Sequence, residues 1–194
     1  MTAALRAWRK SLRESLIDTR LSHTDAQRRV WSQSICQSLV AALTLPTGSV
    51  VGFCWPYKGE PDVLTAIRQW ISNGAMAALP VVEEERAPMV FRRWTPNTPM
   101  GLGVYNIPVP LDTEVVHPTV VLAPVVGFDT QGFRLGYGGG YFDRTMEQLR
   151  PPPYLIGVGF ETSRVDTIQP QEHDIPMQAM VTEAGFFRFG QMPR

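Results

Sequence analysis

The sequence is short of cysteine: Cys36 and Cys54 are the only two in 194 residues, and they stand alone. A chain of this size needs no disulfide staples, so two isolated thiols predict reduced cysteines and a cytoplasmic protein. Net charge is absent too, with 18 Lys plus Arg against 18 Asp plus Glu, which leaves no global field to draw in nucleic acid. Long hydrophobic runs are missing. Nothing approaches the roughly 18 consecutive apolar residues of a membrane span, and Met1–Lys10 lacks the apolar core of a secretory signal, so no membrane partner is expected. The three histidines, His23, His117 and His173, have no partners at a spacing that makes a zinc site or a nucleophile–base pair. There is no internal repeat and no low-complexity linker. With 44% hydrophobic residues the chain can bury a substantial core, and one domain over residues 1–194 is expected.

What is present begins with uneven charge. Residues 1–31 carry seven basic side chains (Arg6, Arg9, Lys10, Arg13, Arg20, Arg28, Arg29) against three acids (Glu14, Asp18, Asp25). Leu5, Trp8, Leu12 and Leu16 recur at helical spacing and predict a first helix, with the basic residues on the rest of its surface. Such a face is ordinarily solvated, but Arg9 and Arg13 are four apart, share one side and could meet a polyanion. Thr24 before Asp25 predicts the N-cap of a second helix with Trp31, Ile35, Leu39 and Ala42 inward.

Ser49–Trp55 reads as a central strand, Pro56–Pro61 as a turn, and Pro61 as the first position of a helix reaching Ser72, with Val63, Ile67 and Trp70 inward. Met76–Val82 and Met89–Trp94 read as strands on either side of a polar tip. Thr95–Pro110, rich in Pro, Gly and Asn, reads as a long ordered loop. Val120–Val126 and Tyr154–Phe160 read as buried strands, and a last strand is expected near Phe186–Phe189. This alternation predicts a three-layer α/β/α sandwich on a mostly parallel sheet. Ligands of such sheets gather at the carboxyl ends of strands, which favours Trp55, Tyr57 and Glu60 as site residues.

The densest chemistry lies between Gly127 and Arg144. Gly127, Gly132, Gly136, Gly138, Gly139 and Gly140 crowd into it, and a glycine inside an element costs about 0.5–1 kcal/mol against alanine. A surface loop of several turns is the plain explanation. The flanks argue for more. An apolar strand precedes the glycines and a helix over Tyr141–Leu149 follows, the arrangement in which free backbone N–H groups and a helix N-terminus face an anion. No Gly-Lys-Ser/Thr follows, which excludes a Walker loop. The spacing is not that of a dinucleotide fingerprint, and no clear ribose-binding acid follows about 20 residues on, which disfavours an NAD enzyme.

The string Arg134-Leu135-Gly136-x-Gly138-x-Gly140-Tyr141-Phe142-Asp143 closely resembles the signature of 5-formyltetrahydrofolate cyclo-ligases, also called methenyltetrahydrofolate synthetases. Gly103–Pro108 is similar to that family as well. The resemblance implies a Rossmann-like fold related to the sugar-phosphate isomerase and CoA-transferase group. It implies ATP- and Mg²⁺-dependent closure of 5-formyltetrahydrofolate to 5,10-methenyltetrahydrofolate, giving ADP and phosphate. ATP would be held by Arg9, Arg13, Arg134, Leu135, Gly136, Tyr137, Gly138, Gly139, Gly140, Tyr141 and Phe142. Glu60, in its Gly-Glu-x-Asp context, would bind the pterin, whose adjacent N–H donors suit a carboxylate. Trp55, Tyr57 and the stretch Tyr137, Gly138, Gly139, Gly140 and Tyr141 would complete the folate site. Asp143 would hold Mg²⁺, directly or through water, and Arg134, Tyr141 and Asp143 are the catalytic candidates.

Two departures stand out. Arg9 replaces a lysine of the family, exchanging a point charge for a planar fork. Aligned through His173-Asp174, Gln178 stands where many members have a second metal-binding aspartate, so Gln178, Asp174 or water would fill that place. The resemblance also admits a catalytically impaired folate- or nucleotide-binding regulatory relative. A monomer acting on folate with or without a polyglutamate tail is expected, and no nucleic acid.

Overall fold

Residues 1–189 are described in the computed structural model of the chain. Two long helices come first, α1 (Ala3–Ser22) and α2 (Asp25–Ala42). Thr2 caps α1 by accepting from Leu5 N, and Thr24 caps α2 by accepting from Gln27 N. As the spacing predicts, α2 buries Ile35 and Leu39, with Trp31 packed against the same cluster. The first helix departs from its predicted pattern. Trp8 is 37% exposed, whereas Arg9 and Arg20 are buried. The inward stripe is Arg9, Arg13, Leu16 and Arg20, spaced four, three and four residues apart. Its reason is chemical: α1 lies over a row of loop carbonyls that need donors, those of Ile168, Gln169, Gly136, Lys58 and Val125.

Strand β1 (Val50–Gly52) runs parallel to β2 (Met76–Val81), with Val50 opposite Met76, through α3 (Leu64–Ser72). The helix starts at Leu64 rather than at Pro61, because Asp62 Oδ1 first accepts from Leu64 N. Val63, Ile67 and Trp70 face inward as predicted. Strand β3 (Val90–Trp94) returns antiparallel to β2. The predicted loop over 95–110 contains a small hairpin, β4 (Met100–Leu102) against β5 (Pro108–Pro110), turning through Val104–Asn106.

Strand β6 (Val120–Pro124) is followed by a two-residue pair, β7 (Gly127–Phe128) and β8 (Arg134–Leu135), and then by α4 (Tyr141–Gln148). The chain ends in β9 (Tyr154–Val158), β10 (Ala179–Thr182) and β11 (Gly185–Arg188). The sheet order is β11-β10-β9-β6-β1-β2-β3. The four inner pairings are parallel and the two outer ones antiparallel. Both faces are covered. Val120, Leu122, Ile156 and Val181 pack under Leu39, Ile67 and Trp70 of α2 and α3, while Val121, Ala123, Leu155 and Met180 pack with Met146 of α4. A strand buried on both faces is apolar at every position, which is why Val120–Val126 is so plain in the sequence. The α/β/α sandwich is therefore as predicted. No helix among the described residues is long and apolar enough to cross a membrane.

Candidate active site at the carboxyl end of the sheet

The chain leaving β1 makes a tight turn. Lys58 and Gly59 take left-handed φ values of 47° and 72°, and Glu60 N donates to Tyr57 O at 3.1 Å. The turn folds the Glu60 carboxylate back so that Oε2 accepts from Tyr57 N at 3.0 Å. Glu60 is buried, and Oε1 accepts from the Tyr137 hydroxyl at 2.7 Å. Burial pushes the Glu60 carboxyl upward, against the Tyr137 hydrogen bond, the Arg20 charge and the Tyr57 N–H. Burial and then the Glu60 charge raise the Tyr137 phenol far above its ordinary value, so it stays a donor. The same two causes push the Cys54 thiol up, which favours its neutral form over the thiolate.

Sequence reasoning missed Arg20 here. Its guanidinium donates from Nε to Lys58 O at 3.0 Å, from Nη1 to Val125 O at 3.2 Å and from Nη2 to Tyr137 Oη at 2.6 Å. Nη1 also lies 3.9 Å from Glu60 Oε1. The available signal was the continuation of the Arg9 and Arg13 spacing by three and four residues. An aromatic wall stands beside this cluster. Tyr57 meets Tyr137 edge-on at 5.5 Å and stacks on Tyr105 at 6.3 Å, while Trp55 meets Trp94 edge-on at 6.2 Å. Tyr105, not singled out from the sequence, is 66% exposed and held at φ 59°, so the hairpin tip presents its ring to solvent.

The glycine loop leads from β8 into α4. Gly138 and Gly140 have φ values of 95° and 67°, left-handed conformations that only glycine adopts freely, and Gly140 is the N-cap of α4. Two guanidinium groups hold its carbonyls: Arg13 Nε donates to Gly136 O at 2.6 Å and Arg144 Nη2 to Gly139 O at 2.7 Å. In a trans peptide the N–H points opposite to the C=O, so these contacts turn the Tyr137 and Gly140 N–H groups away from the two arginines. The backbone N–H groups from Tyr137 to Asp143 find no protein acceptor among the described residues. They form a patch of free donors at a helix N-terminus. Burial lowers the Arg13 guanidinium, and the neighbouring Arg9 charge adds to it.

Arg134 and Asp143 bracket the loop. Arg134 is buried, donating from Nη2 to Asp143 Oδ1 at 2.8 Å and from Nη1 to Ile175 O at 2.9 Å. Ile175 N also donates to Asp143 Oδ1, at 3.2 Å. Arg9 is engaged at Nε and Nη2 by Ile168 O, Gln169 O and Asp174 Oδ2, the last at 2.5 Å. Burial works to raise the Asp174 carboxyl, but the Arg9 hydrogen bond, the Gln171 N–H and the Arg9 charge outweigh it and hold it low. Gln178 is committed elsewhere. Its Oε1 accepts from Leu155 N at 2.6 Å and completes the start of the β9–β10 pairing. Among the described residues no group of three or more His, Cys, Asp or Glu is arranged to hold a metal.

Tyr57 and Glu60 therefore meet the glycine loop from the chain that leaves β1, both through Tyr137, whereas Trp55 packs on Trp94. Arg13, Leu135–Phe142 and the Arg134–Asp143 pair lie along the loop itself, and Arg9 is tied to the segment at 168–174.

The family model of the 5-formyltetrahydrofolate cyclo-ligases matches residues 5–183. The 5-formyltetrahydrofolate cyclo-ligase of Haemophilus influenzae is 25% identical over 177 residues, spanning 87% of this chain and 94% of the relative. That of Escherichia coli is 28% identical over 166 residues, spanning 82% and 91%. The solved 5,10-methenyltetrahydrofolate synthetase of Aquifex aeolicus superposes with a TM-score of 0.79 at 28% identity, over 96% of this chain and 94% of that one. The Mycoplasma pneumoniae synthetase, at 23% identity and a TM-score of 0.74, covers 90% and 98% and shares the fold.

Proposed function

The chain belongs to the 5-formyltetrahydrofolate cyclo-ligase family, and from that premise we propose that it converts 5-formyltetrahydrofolate and ATP to 5,10-methenyltetrahydrofolate, ADP and phosphate. The observation that carries the reading is the 2.7 Å hydrogen bond from Tyr137 to Glu60. Tyr137 belongs to the loop of free amides, and Glu60 is the carboxylate suited to a pterin. One contact thus joins a phosphate cradle to a pterin acceptor, as a transfer from nucleotide to folate requires.

The chemical problem is the formyl oxygen. It is an amide oxygen that leaves poorly, so N10 cannot close the ring and expel it unaided. Transfer of the γ-phosphoryl group to this oxygen makes a phosphate ester of the imidate. N10 then adds to the carbon, loses its proton, and inorganic phosphate departs as the methenyl bridge forms. The protein's task is positioning and charge neutralisation. The N–H groups of Tyr137–Asp143 and the Arg13 guanidinium suit the phosphates, with Arg134 at the end of the loop. Glu60 accepts from the pterin N–H groups, and the Tyr57 and Tyr105 rings offer faces to the flat folate.

Magnesium, when bound with the nucleotide, would neutralise phosphate charge. Asp143 fits it as a single ligand: Arg134 and Ile175 occupy Oδ1, and Oδ2 takes no protein donor among the described residues. One carboxylate oxygen is enough for an ion that keeps several waters and takes further ligands from phosphates. Gln178, whose Oε1 is spent on Leu155 N, does not join it, while Asp174 gives Oδ2 to Arg9 and Gln171 N and has no protein donor on Oδ1 among the described residues. The reading extends to a single-domain, monomeric, cytoplasmic enzyme taking folate with or without a polyglutamate tail. Its test is the absorbance of the methenyl product from 5-formyltetrahydrofolate. Growth of the band with MgATP and none without supports it; a band that ignores ATP, or none at all, overturns it.

A further inference from the structure

Arg20 has no part in the chemistry above, yet it is 2% exposed and spends all three guanidinium nitrogens on protein acceptors. It reaches from α1 to three separate pieces of chain: the turn before Glu60 (Lys58 O), the end of β6 (Val125 O) and the glycine loop (Tyr137 Oη). The direction of the last bond is not ambiguous. An arginine can only donate, so the Tyr137 oxygen accepts from Nη2, and the one phenol proton must go to Glu60 Oε1. With Tyr57 N already on Oε2, both carboxylate oxygens are approached only by donors. Glu60 is thereby held as a pure acceptor, oriented by two hydrogen bonds and facing a guanidinium 3.9 Å away.

We propose that Arg20 is the positioning residue of the pterin pocket, fixing Tyr137 as donor to Glu60 and so holding Glu60 as an acceptor carboxylate for the ring N–H groups of the folate. This rests on the cyclo-ligase reading for the identity of the ligand. The fork geometry is the essential part. A lysine at the same position keeps the charge but gathers its three donors on one nitrogen, in place of the three separate atoms, Nε, Nη1 and Nη2, that meet Lys58 O, Val125 O and Tyr137 Oη. The same face of α1 also places Arg13 on Gly136, the residue before Tyr137, so one helix stiffens the phosphate loop and the pterin pocket together. The titratable groups facing Glu60 are Arg20 from α1, Tyr137 from the loop and Cys54 beyond β1.

The test compares wild type, R20Q and R20K, with 5-formyltetrahydrofolate and ATP titrated separately by calorimetry across pH. R20Q is expected to weaken 5-formyltetrahydrofolate about tenfold, the loss of a charge-assisted contact, with ATP binding little changed. The pH below which folate affinity is lost should rise, because the cation that favours ionised Glu60 is gone. R20K is expected to keep ATP binding and lose folate affinity. Wild-type folate affinity in R20K, or equal loss of both ligands in both variants, overturns the proposal. A second readout needs no folate: infrared titration of the Glu60 carboxyl in the ligand-free protein, with E60Q as the blank. The carboxyl must titrate at higher pH in R20Q than in wild type, and an unmoved titration counts against Arg20. Wild type that binds no 5-formyltetrahydrofolate would sink the cyclo-ligase reading by itself, leaving the infrared result to decide the role of Arg20.

Discussion

Arg134 Nη2 and Asp143 Oδ1 lie 2.8 Å apart across the glycine loop, nine residues from one another in sequence. Arg134 is buried, while the Asp143 side chain is 25% exposed, so the pair has an inner cation and an outer anion. It clamps the two ends of the loop and leaves the second oxygen of Asp143 without a protein donor among the described residues.

Removing Asp143 should therefore have two separable effects. D143A leaves a buried guanidinium with only the Ile175 carbonyl, at a cost of about 1–3 kcal/mol of stability. D143N retains a hydrogen-bond acceptor for Arg134 and should recover most of that loss. Both should cut turnover by about a hundredfold or more while 5-formyltetrahydrofolate binding survives, since neither touches Glu60. Urea melts beside steady-state rates check this, and D143N with wild-type turnover removes Asp143 from the phosphoryl transfer.

Arg9 and Arg13 should separate, although they share one helix face. Both partners of the Arg9–Asp174 ion pair are about a tenth exposed. Breaking such a pair from one side costs about 3–5 kcal/mol. R9A is expected to move the urea midpoint strongly. R13A, whose guanidinium rests on one loop carbonyl, should shift it little and weaken ATP binding instead. Equal midpoints in the two variants would contradict the assignment.

Glu60 links pH to stability and to binding with opposite signs. Burial raises its folded-state value above the ordinary 4.5, so the folded protein keeps this proton to higher pH than the unfolded chain does. That contribution to stability is fully present below the unfolded value and is lost as pH rises through the raised folded value. Folate binding needs the carboxylate and so grows over the same interval. Measured against E60Q, which does not titrate, wild type should lose unfolding free energy and gain 5-formyltetrahydrofolate affinity as pH climbs from about 4.5. Parallel changes in the two quantities would be the contrary result.

Gln178 is expected to behave as a sheet residue. Q178A should cost about 1 kcal/mol through the lost bond to Leu155 N and leave the magnesium dependence of turnover unchanged. A shifted magnesium requirement, read from rates across a magnesium titration, would return Gln178 to the metal site.

The glycine loop was legible because two signals coincide there. An apolar run buried on both faces marks β6, and glycines with left-handed φ mark the turn into α4. The inward face of α1 was not, because hydrophobic periodicity assumes that a helix packs on apolar surface. This one packs on carbonyls, so arginines fill positions where Trp8 and Leu12 were expected. Strand β10 hides for a related reason: Ala179–Thr182 is four residues long and follows a polar, proline-broken stretch, and its partners β9 and β11 supply the order that the local sequence does not. Gln178 shows the limit of alignment, since a residue that aligns with a metal-binding aspartate, and was itself a candidate for that place, is spent on pairing two strands.

The central claim is that the formyl oxygen receives the γ-phosphoryl group. Its most direct measurement uses 5-formyltetrahydrofolate carrying heavy oxygen in the formyl group, turned over with MgATP, followed by mass analysis of the inorganic phosphate. The account predicts that the label appears in phosphate, one atom for each methenyl product formed. Label recovered in water, with unlabelled phosphate, would contradict it.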